Sequence, residues 1–126
     1  MNVPEDRRYT DQHEWALAED GGVRVGITDY AQDALGDVVF VDLLTEPGAA
    51  VDMGDTIAEV ESTKSVAEVY APIGGTIVAV NDALSEAPET VNAAPYGEGW
   101  FVVIEPSDPG ALEALLDAAG YLTLIE

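Results

Sequence analysis

One lysine, Lys64, is the residue of this chain best suited to covalent chemistry. It lies inside the segment Val60-Glu61-Ser62-Thr63-Lys64-Ser65-Val66 and is the only lysine in the chain. The other basic residues are three arginines, set against 25 aspartates and glutamates, and the formal net charge is −21. Acidic side chains already keep the surface solvated, so a lysine is not needed for solubility. Because a lysine amine can be acylated, we interpret Lys64 as an amine kept for modification.

The residues on either side of Lys64 predict that it lies at the tip of a β-hairpin. Two short β-rich segments, residues 56–62 and 65–71, flank it and are bounded by turn residues. The pair Thr63-Lys64 is not the Asn-Gly pair that favours a tight hairpin turn. A modifying enzyme can reach an amine at such a tip, and a long acyl group attached there can swing.

The rest of the composition argues against most other chemistry. The chain has no cysteine and one histidine, so it offers no thiol nucleophile, no disulfide and no Cys/His metal set. Neither a phosphate-binding Gly-x-x-x-x-Gly-Lys loop nor a His-Glu-x-x-His pair occurs. The negative charge would repel nucleic acid and anionic membranes, and it favours protein partners with basic surfaces. The acids near the lysine, Glu59, Glu61 and Glu68, either dock such a partner or are ordinary solvent-facing residues.

Length and terminal composition predict one domain over residues 9–126, preceded by a flexible leader over residues 1–8. No apolar run approaches the ~20 residues of a membrane span. The leader has neither the apolar core of a signal peptide nor the acid-poor composition of a transit peptide. We therefore expect a cytoplasmic protein. We also expect it to be a monomer.

Turn residues recur about every 8–12 positions between short β-rich segments, which favours a barrel or sandwich of antiparallel strands. Strands are predicted at residues 9–17, 23–27, 38–44, 56–62, 65–71, 76–80 and 100–105. Thr28 is predicted to cap a short helix that ends at Gly36. A C-terminal helix is predicted over about residues 108–119, ending at Gly120, with one apolar face against the sheet. That face consists of Leu112, Leu115, Leu116 and Ala119.

Several stretches beyond the lysine segment together resemble the H protein family of the glycine cleavage system, a relative of the lipoyl and biotinyl carrier domains. Each stretch is a weak signal alone, but their order and spacing are highly specific, and they extend from residue 9 to residue 121. In addition to the lysine segment they are His13-Glu14-Trp15, Gly26-Ile27-Thr28-Asp29-Tyr30-Ala31-Gln32, Leu35-Gly36-Asp37-Val38-Val39-Phe40-Val41, Ala71-Pro72-Ile73-Gly74-Gly75, Val80-Asn81, Val91-Asn92 and Pro95-Tyr96-Gly97-Glu98-Gly99-Trp100.

The resemblance implies a mainly β fold of the lipoyl/biotinyl type. This fold is a hybrid barrel of two antiparallel sheets with short helices and a C-terminal helix. It also implies lipoic acid, covalently amide-linked to Lys64. A lipoate ligase or an octanoyltransferase would attach the group and would recognise Glu61, Ser62, Thr63 and Ser65 beside it. The family often has alanine where this chain has Ser65, a small change that should not block modification.

The same resemblance implies a carrier that performs no turnover alone. The lipoyl arm would take an aminomethyl group from the pyridoxal-phosphate-dependent glycine decarboxylase (P protein) to the folate-dependent aminomethyltransferase (T protein). The dihydrolipoyl dehydrogenase (L protein) would then reoxidise the arm. Glu14 would hold the amine of the aminomethyl group, and Glu68 is a weaker candidate. Tethering raises the effective concentration of the group at each partner.

Four alternatives stay open from the sequence. Lipoyl domains of 2-oxoacid dehydrogenase acyltransferases commonly have aspartate before the lysine, whereas this chain has Thr63 and carries His13-Glu14-Trp15. Biotin carriers frame the lysine with methionines, whereas Thr63 and Ser65 frame this one. A paired-carboxylate hydrolase and an unmodified acidic interaction module are the two alternatives from other classes.

Overall fold

Short strands with alternating apolar side chains dominate the computed structural model, which describes residues 2–126. The strands are β1 (Arg8–Tyr9), β2 (Glu14–Glu19), β3 (Gly22–Ile27), β4 (Val38–Leu43), β5 (Ala50–Val51), β6 (Thr56–Ser62), β7 (Val66–Tyr70), β8 (Gly75–Val80) and β9 (Val102–Pro106). The helices are α1 (Asp29–Leu35), α2 (Ala83–Glu86), α3 (Thr90–Ala93) and α4 (Ala118–Ile125), with a 3-10 turn at Ala111–Ala114.

The strands form two antiparallel sheets around one apolar core. One sheet has the strand order β1-β2-β3-β9-β8-β5, and the other has the order β4-β6-β7. Val25 and Ile104 from the first sheet share a buried cluster with Val41 and Val60 from the second. Burying each such side chain contributes about 1.5–3 kcal/mol, so this contact holds the two sheets together. The mainly β hybrid barrel with short helices is confirmed.

Helix α1 begins and ends where the sequence predicts. The Thr28 side chain accepts a hydrogen bond from the amide of Ala31, which satisfies one of the free amides at the helix start. Gly36 ends the helix with φ of 80° and ψ of −157°. This backbone region is essentially restricted to glycine, so the helix stops there because only glycine can make the turn.

The N-terminal segment, for which a flexible leader is predicted, contacts the fold within the described residues 2–8, and its flexibility stays a prediction. Val3 packs against a second apolar cluster formed by Tyr9, Trp15, Ala118 and Tyr121. The guanidinium of Arg7 lies 4.7 Å from the centroid of Trp15 and 5.2 Å from that of Tyr96. These cation–π contacts arise only once the distant rings are assembled, so local composition did not indicate them. Met1 lies outside the described residues.

The predicted C-terminal helix over residues 108–119 is wrong. A 3-10 turn at Ala111–Ala114 is followed by extended backbone at Leu115. Leu116 then exchanges two backbone hydrogen bonds with Tyr9, of 2.8 and 2.9 Å. In a continuous helix, the backbone amide and carbonyl of Leu116 would form hydrogen bonds within the helix. Because they bond to the N-terminal strand, a helix at this position is excluded.

Helix α4 begins later in the chain, at a cap that the sequence reading missed. Asp117 has extended backbone, and its side chain accepts a hydrogen bond of 2.8 Å from the amide of Gly120. Asp117 is therefore the N-cap of α4, and Gly120 lies inside the helix and does not end it. The assignment of residues 9–126 to one domain stays a prediction.

Candidate functional site

Lys64 lies at the tip of the hairpin that joins β6 to β7, which confirms the predicted placement. The ladder runs up to the pair Glu61 and Val66. Beyond it, the amide of Ser62 donates to the carbonyl of Ser65 over 2.8 Å. Neither residue between them, Thr63 or Lys64, has a positive φ, so the tip is not the tight type I′ turn. The lysine side chain is exposed.

The hydroxyl of Ser62 shapes this tip. It accepts hydrogen bonds from the amides of Lys64 and Ser65, each 3.1 Å long, and donates to the carbonyl of Ser65 over 3.1 Å. A serine hydroxyl that bonds neighbouring amides can replace the backbone bond of an ordinary turn. Ser62 therefore fixes the geometry of the tip, in addition to its predicted role in recognition by an attaching enzyme.

The end of α1 forms a shelf beneath the tip, consisting of residues Gly36 and Asp37. The carbonyl of Asp37 accepts a hydrogen bond of 3.0 Å from the amide of Thr63. A Cβ atom added at Gly36 would lie 3.3 Å from Cε and 3.6 Å from Nζ of Lys64. The methylenes of the lysine therefore lie directly over a glycine that has no side chain to displace them.

Glu14 is almost completely buried, with 2% of its surface exposed. Its carboxylate accepts a hydrogen bond of 2.6 Å from the hydroxyl of Thr10 and one of 3.2 Å from the amide of Tyr70. Burial raises the pKa of Glu14 above its ordinary value, and the bonds from Thr10 and Tyr70 oppose that rise. A carboxylate has about four lone-pair positions, so this group can accept further donors.

A mainly apolar cleft of about 250 Å³ lies between α1 and the strands β6 and β7. Its apolar lining includes Leu35 and Ala67, and both Glu14 and Glu68 line it as well. Leu35 directly precedes the Gly36 shelf, so one end of the cleft is next to the lysine side chain. A second cavity, of about 610 Å³, lies on the other side of Glu14 and is bordered by the segment 114–116.

The distance from the tip to Glu14 follows from strand β7. Glu14 bonds the amide of Tyr70, which lies four residues beyond Val66, the first residue of the strand. At about 3.3 Å per residue, this is roughly 13 Å along the sheet. Glu68 lies between these points on the same edge strand, and its carboxylate accepts a hydrogen bond of 2.8 Å from the hydroxyl of Tyr70. The two predicted acids thus lie near one cleft, Glu14 buried and Glu68 exposed.

The outward face of the three-stranded sheet carries two rows of side chains next to the tip. Residues that pair across strands point to the same face. The rows are Phe40–Glu61–Val66 and Asp42–Glu59–Glu68. Phe40 and Val66 are exposed to 47% and 58%, which is high for apolar residues. In the row nearest Lys64, an acidic side chain thus lies between two exposed apolar ones, and the next row is entirely acidic.

His13, the only histidine, is engaged in the fold. Its Nδ1 atom is 2.8 Å from the hydroxyl of Tyr121, which in turn lies 2.7 Å from the hydroxyl of Thr28 at the start of α1. Burial lowers the pKa of His13, which favours the neutral ring. With a φ of 69°, His13 also forms the turn that leads into Glu14. The residue therefore supports the loop before Glu14.

Sequence reasoning missed several residues that support the predicted ones. Thr10 and Tyr70 hold the carboxylate of Glu14, and Asn92 bonds the shelf under Lys64. The sequence gives Val91-Asn92 only as one of the stretches that carry the family resemblance and predicts no role for it. The signal that could have identified Asn92 is its position in a short helix opposite the end of α1, but that placement exists only in the folded chain.

Over residues 2–126, no group of three or more histidine, aspartate or glutamate side chains could hold a metal ion. In the same part of the chain, every helix is too short or too polar to cross a bilayer.

Comparisons with known proteins point to one family. The family model described as Glycine cleavage H-protein matches residues 7–126. The glycine cleavage system H protein of Thermus thermophilus is 56% identical over 126 residues, which cover 100% of this chain and 98% of the relative. The glycine cleavage system H protein of Anaeromyxobacter sp. (strain K) is 55% identical over 126 residues, with the same two coverages.

A solved structure is similar over nearly the whole fold. The crystal structure of a glycine cleavage system H protein from Mycobacterium marinum superposes with a TM-score of 0.87 and 45% sequence identity. The match covers 96% of this chain and 97% of that one. The chain belongs to the glycine cleavage H-protein family, and its role is that of a lipoyl carrier in the glycine cleavage system.

Proposed function

We propose that Lys64 is the attachment point of lipoic acid, linked as an amide to Nζ, and that the chain is a carrier without catalytic turnover of its own. The observation that supports this most strongly is the position of the only lysine. It is exposed at the hairpin tip, and no carboxylate forms an ion pair with it within residues 2–126. An amine in this setting is open to an attaching enzyme.

The surroundings of Lys64 fit a long, apolar acyl group. The cleft that begins beside Leu35 is lined mainly by apolar side chains, and its acidic residues are Glu14 and Glu68. Apolar methylenes gain free energy when they leave water, at about 0.8 kcal/mol each, so such a group would favour this cleft over solvent. When attached, lipoic acid supplies the disulfide that accepts a one-carbon unit.

Glu14 is the residue we assign to the cationic amine of the cargo. Thr10 and Tyr70 fix the orientation of its carboxylate and leave lone pairs free for an ammonium group. A cation in the cleft would favour the ionised carboxylate and so counteract the rise in pKa caused by burial. Glu68, at the exposed rim, is the weaker candidate because water screens its charge.

The partners we propose are the P, T and L proteins of the glycine cleavage system, and the lipoate ligase or octanoyltransferase that loads Lys64. Each must approach the tip, so each must contact the acidic face beside it. Glu61 is exposed there and available for direct contact, as are Thr63 and Ser65, whereas Ser62 acts by shaping the tip. We propose that the protein meets these partners as a monomer. The cytoplasmic location stays a prediction.

Intact-mass measurement tests the attachment. The unmodified protein is incubated with a lipoate ligase, lipoate and ATP, and the modified residue is then mapped by peptide mass spectrometry. We expect one lipoyl increment, located on Lys64. Absence of the increment would overturn the proposal, and a biotin increment on Lys64 of protein from its native cell would identify the related biotin carrier instead.

A second measurement tests the absence of turnover. The purified, lipoylated chain is incubated with labelled glycine, first alone and then with the three partner enzymes. We expect release of labelled carbon dioxide only in the complete mixture. Sustained release by the chain alone would contradict a carrier without turnover and favour a hydrolase or another enzyme class.

A further inference from the structure

We infer that Asn92 is a positioning residue for attachment at Lys64, and that it acts through the Gly36–Asp37 shelf. This inference rests on the proposed modification of Lys64. Asn92 does not touch the lysine, and its influence is transmitted by three consecutive hydrogen-bonded segments. These are the side chain of Asn92, the backbone of residues 36–38, and the hairpin tip.

The side chain of Asn92 holds both sides of Asp37. Its Oδ1 atom accepts a hydrogen bond of 2.8 Å from the amide of Val38, and its Nδ2 atom donates one of 2.8 Å to the carbonyl of Gly36. The second hydrogen of Nδ2 is donated to Oε1 of Gln32, over 3.0 Å. One amide group thus fixes the backbone immediately before and after Asp37.

Asp37 in turn holds the tip. Its carbonyl accepts the amide of Thr63 over 3.0 Å, and among the described residues this is the one hydrogen bond that joins residues 63–65 to a segment outside the hairpin. The side chain of Asp37 is exposed and takes no part in this bond. The orientation of the tip relative to the sheet therefore depends on the backbone that Asn92 holds.

The position of Asn92 is itself fixed by a buried residue next to it in the chain. It lies in α3, and the preceding residue, Val91, is completely buried. Helix α3 packs against α1, so Asn92 links the two helices at the end where α1 gives way to the shelf. The backbone of Gly36 cannot hold itself in place, because glycine has the greatest conformational freedom of any residue.

Loss of the Asn92 side chain should affect the rate of attachment more than the exposure of the Lys64 amine. An attaching enzyme must place Nζ within reach of an activated acyl group, and misplacement by about 1 Å can cost up to 100-fold in rate. Without Asn92 the tip would sample several orientations above the shelf. We expect a lower kcat for attachment at a nearly unchanged KM, because the acidic docking face stays in place.

The test compares Asn92→Ala with Asn81→Ala. Asn81 is a matched control because its Nδ2 atom also donates two hydrogen bonds to backbone carbonyls, those of Glu98 and Trp100, both over 2.8 Å. It is buried, and its bonds do not lead to the tip. Asn92→Asp is the second variant, since it keeps an acceptor for Val38 and loses the donor to Gly36.

Two readouts distinguish positioning from loss of stability. The first is attachment kinetics with a lipoate ligase, measured well below the melting temperature of every variant. For Asn92→Ala we expect kcat to fall about tenfold, which corresponds to about 1.4 kcal/mol. The second is amide hydrogen exchange at Thr63, which should accelerate in Asn92→Ala and stay at the wild-type rate in Asn81→Ala.

A small acylating reagent provides the complementary control. Acetylation of Lys64 by an N-hydroxysuccinimide ester requires only an exposed amine, so its rate should be equal in the wild type, Asn92→Ala and Asn81→Ala. The inference is overturned if Asn92→Ala and Asn92→Asp are loaded as fast as Asn81→Ala. If the wild type is not loaded at Lys64 at all, the proposed function fails and not only the role of Asn92.

Discussion

The tip around Lys64 and the site around Glu14 lie beside the same cleft but are built in opposite ways. The tip is exposed, and the hydroxyl of Ser62 bonds only residues up to three positions away. Glu14 is buried, and one of its two partners, Tyr70, lies 56 positions further along the chain. The proposed attachment point thus lies at the surface on a turn shaped by its own neighbours, whereas the proposed acceptor of the cationic amine is held by distant segments.

This difference predicts different responses to substitution. Changes to an exposed side chain of the tip that makes no hydrogen bond typically alter stability by less than about 0.5 kcal/mol, so they should affect chemistry and not folding. Changes at a buried, hydrogen-bonded carboxylate alter both, because burial penalises the charged form. The following three experiments are ordered from the largest expected effect to the smallest.

Lys64→Arg should abolish lipoylation and with it all support of glycine cleavage. Arginine keeps the positive charge but offers no amine that an attaching enzyme can acylate. The free energy of unfolding should change by no more than about 0.5 kcal/mol, because the side chain is exposed. Intact mass after ligase treatment and urea denaturation provide the two measurements.

This variant isolates the role of Lys64, because the chain has no other lysine that could be acylated in its place. A lipoyl increment on Lys64→Arg would mean that attachment occurs elsewhere. Retained glycine cleavage without any increment would favour the unmodified interaction module. A large loss of stability would contradict the description of the tip as a locally built turn.

Glu14→Gln should change how stability depends on pH. The pKa of Glu14 is raised above 4.5 in the folded protein. In the window between 4.5 and the raised value, the folded protein keeps a proton on Glu14 that the unfolded chain has lost, so the contribution of Glu14 to wild-type stability falls as pH rises through that window. Glutamine does not titrate, so this contribution disappears.

The measurement is urea denaturation of both proteins at a series of pH values from acidic to neutral. We expect the stability of Glu14→Gln relative to the wild type to increase as pH rises through the window. The absolute difference also includes the altered bonds to Thr10 and Tyr70, so only the trend is diagnostic. A constant offset at all pH values would contradict the buried, proton-retaining carboxylate.

Ser62→Ala should have the smallest effect, confined to the tip. It removes a hydroxyl that makes three hydrogen bonds, and we expect a loss of about 0.5–1.5 kcal/mol in unfolding free energy. Ser65→Ala is the matched control for stability, since the Ser65 hydroxyl makes no hydrogen bond within residues 2–126. Equal melting temperatures for the two variants would contradict the shaping role of Ser62.

Much of the fold followed from local signals. The cap at Thr28, the stop at Gly36 and the apolar segment that becomes β4 are each read within a few residues, because capping geometry and the apolar pattern of a strand are local properties. The C-terminal helix failed for the opposite reason. The spacing of its apolar residues suited a helix, but Leu116 pairs with Tyr9, more than 100 positions away.

For the site, the sequence by itself determined the candidate attachment residue and its place, since a single lysine between two β-rich segments is presented at the turn that joins them. It also named Glu14, but only by resemblance. The tertiary structure alone decided that Glu14 is buried beside a cleft, that Gly36 and Asp37 support the tip, and that Asn92 holds that shelf. Those contacts join residues far apart in the chain, and such contacts leave no periodic pattern in the sequence.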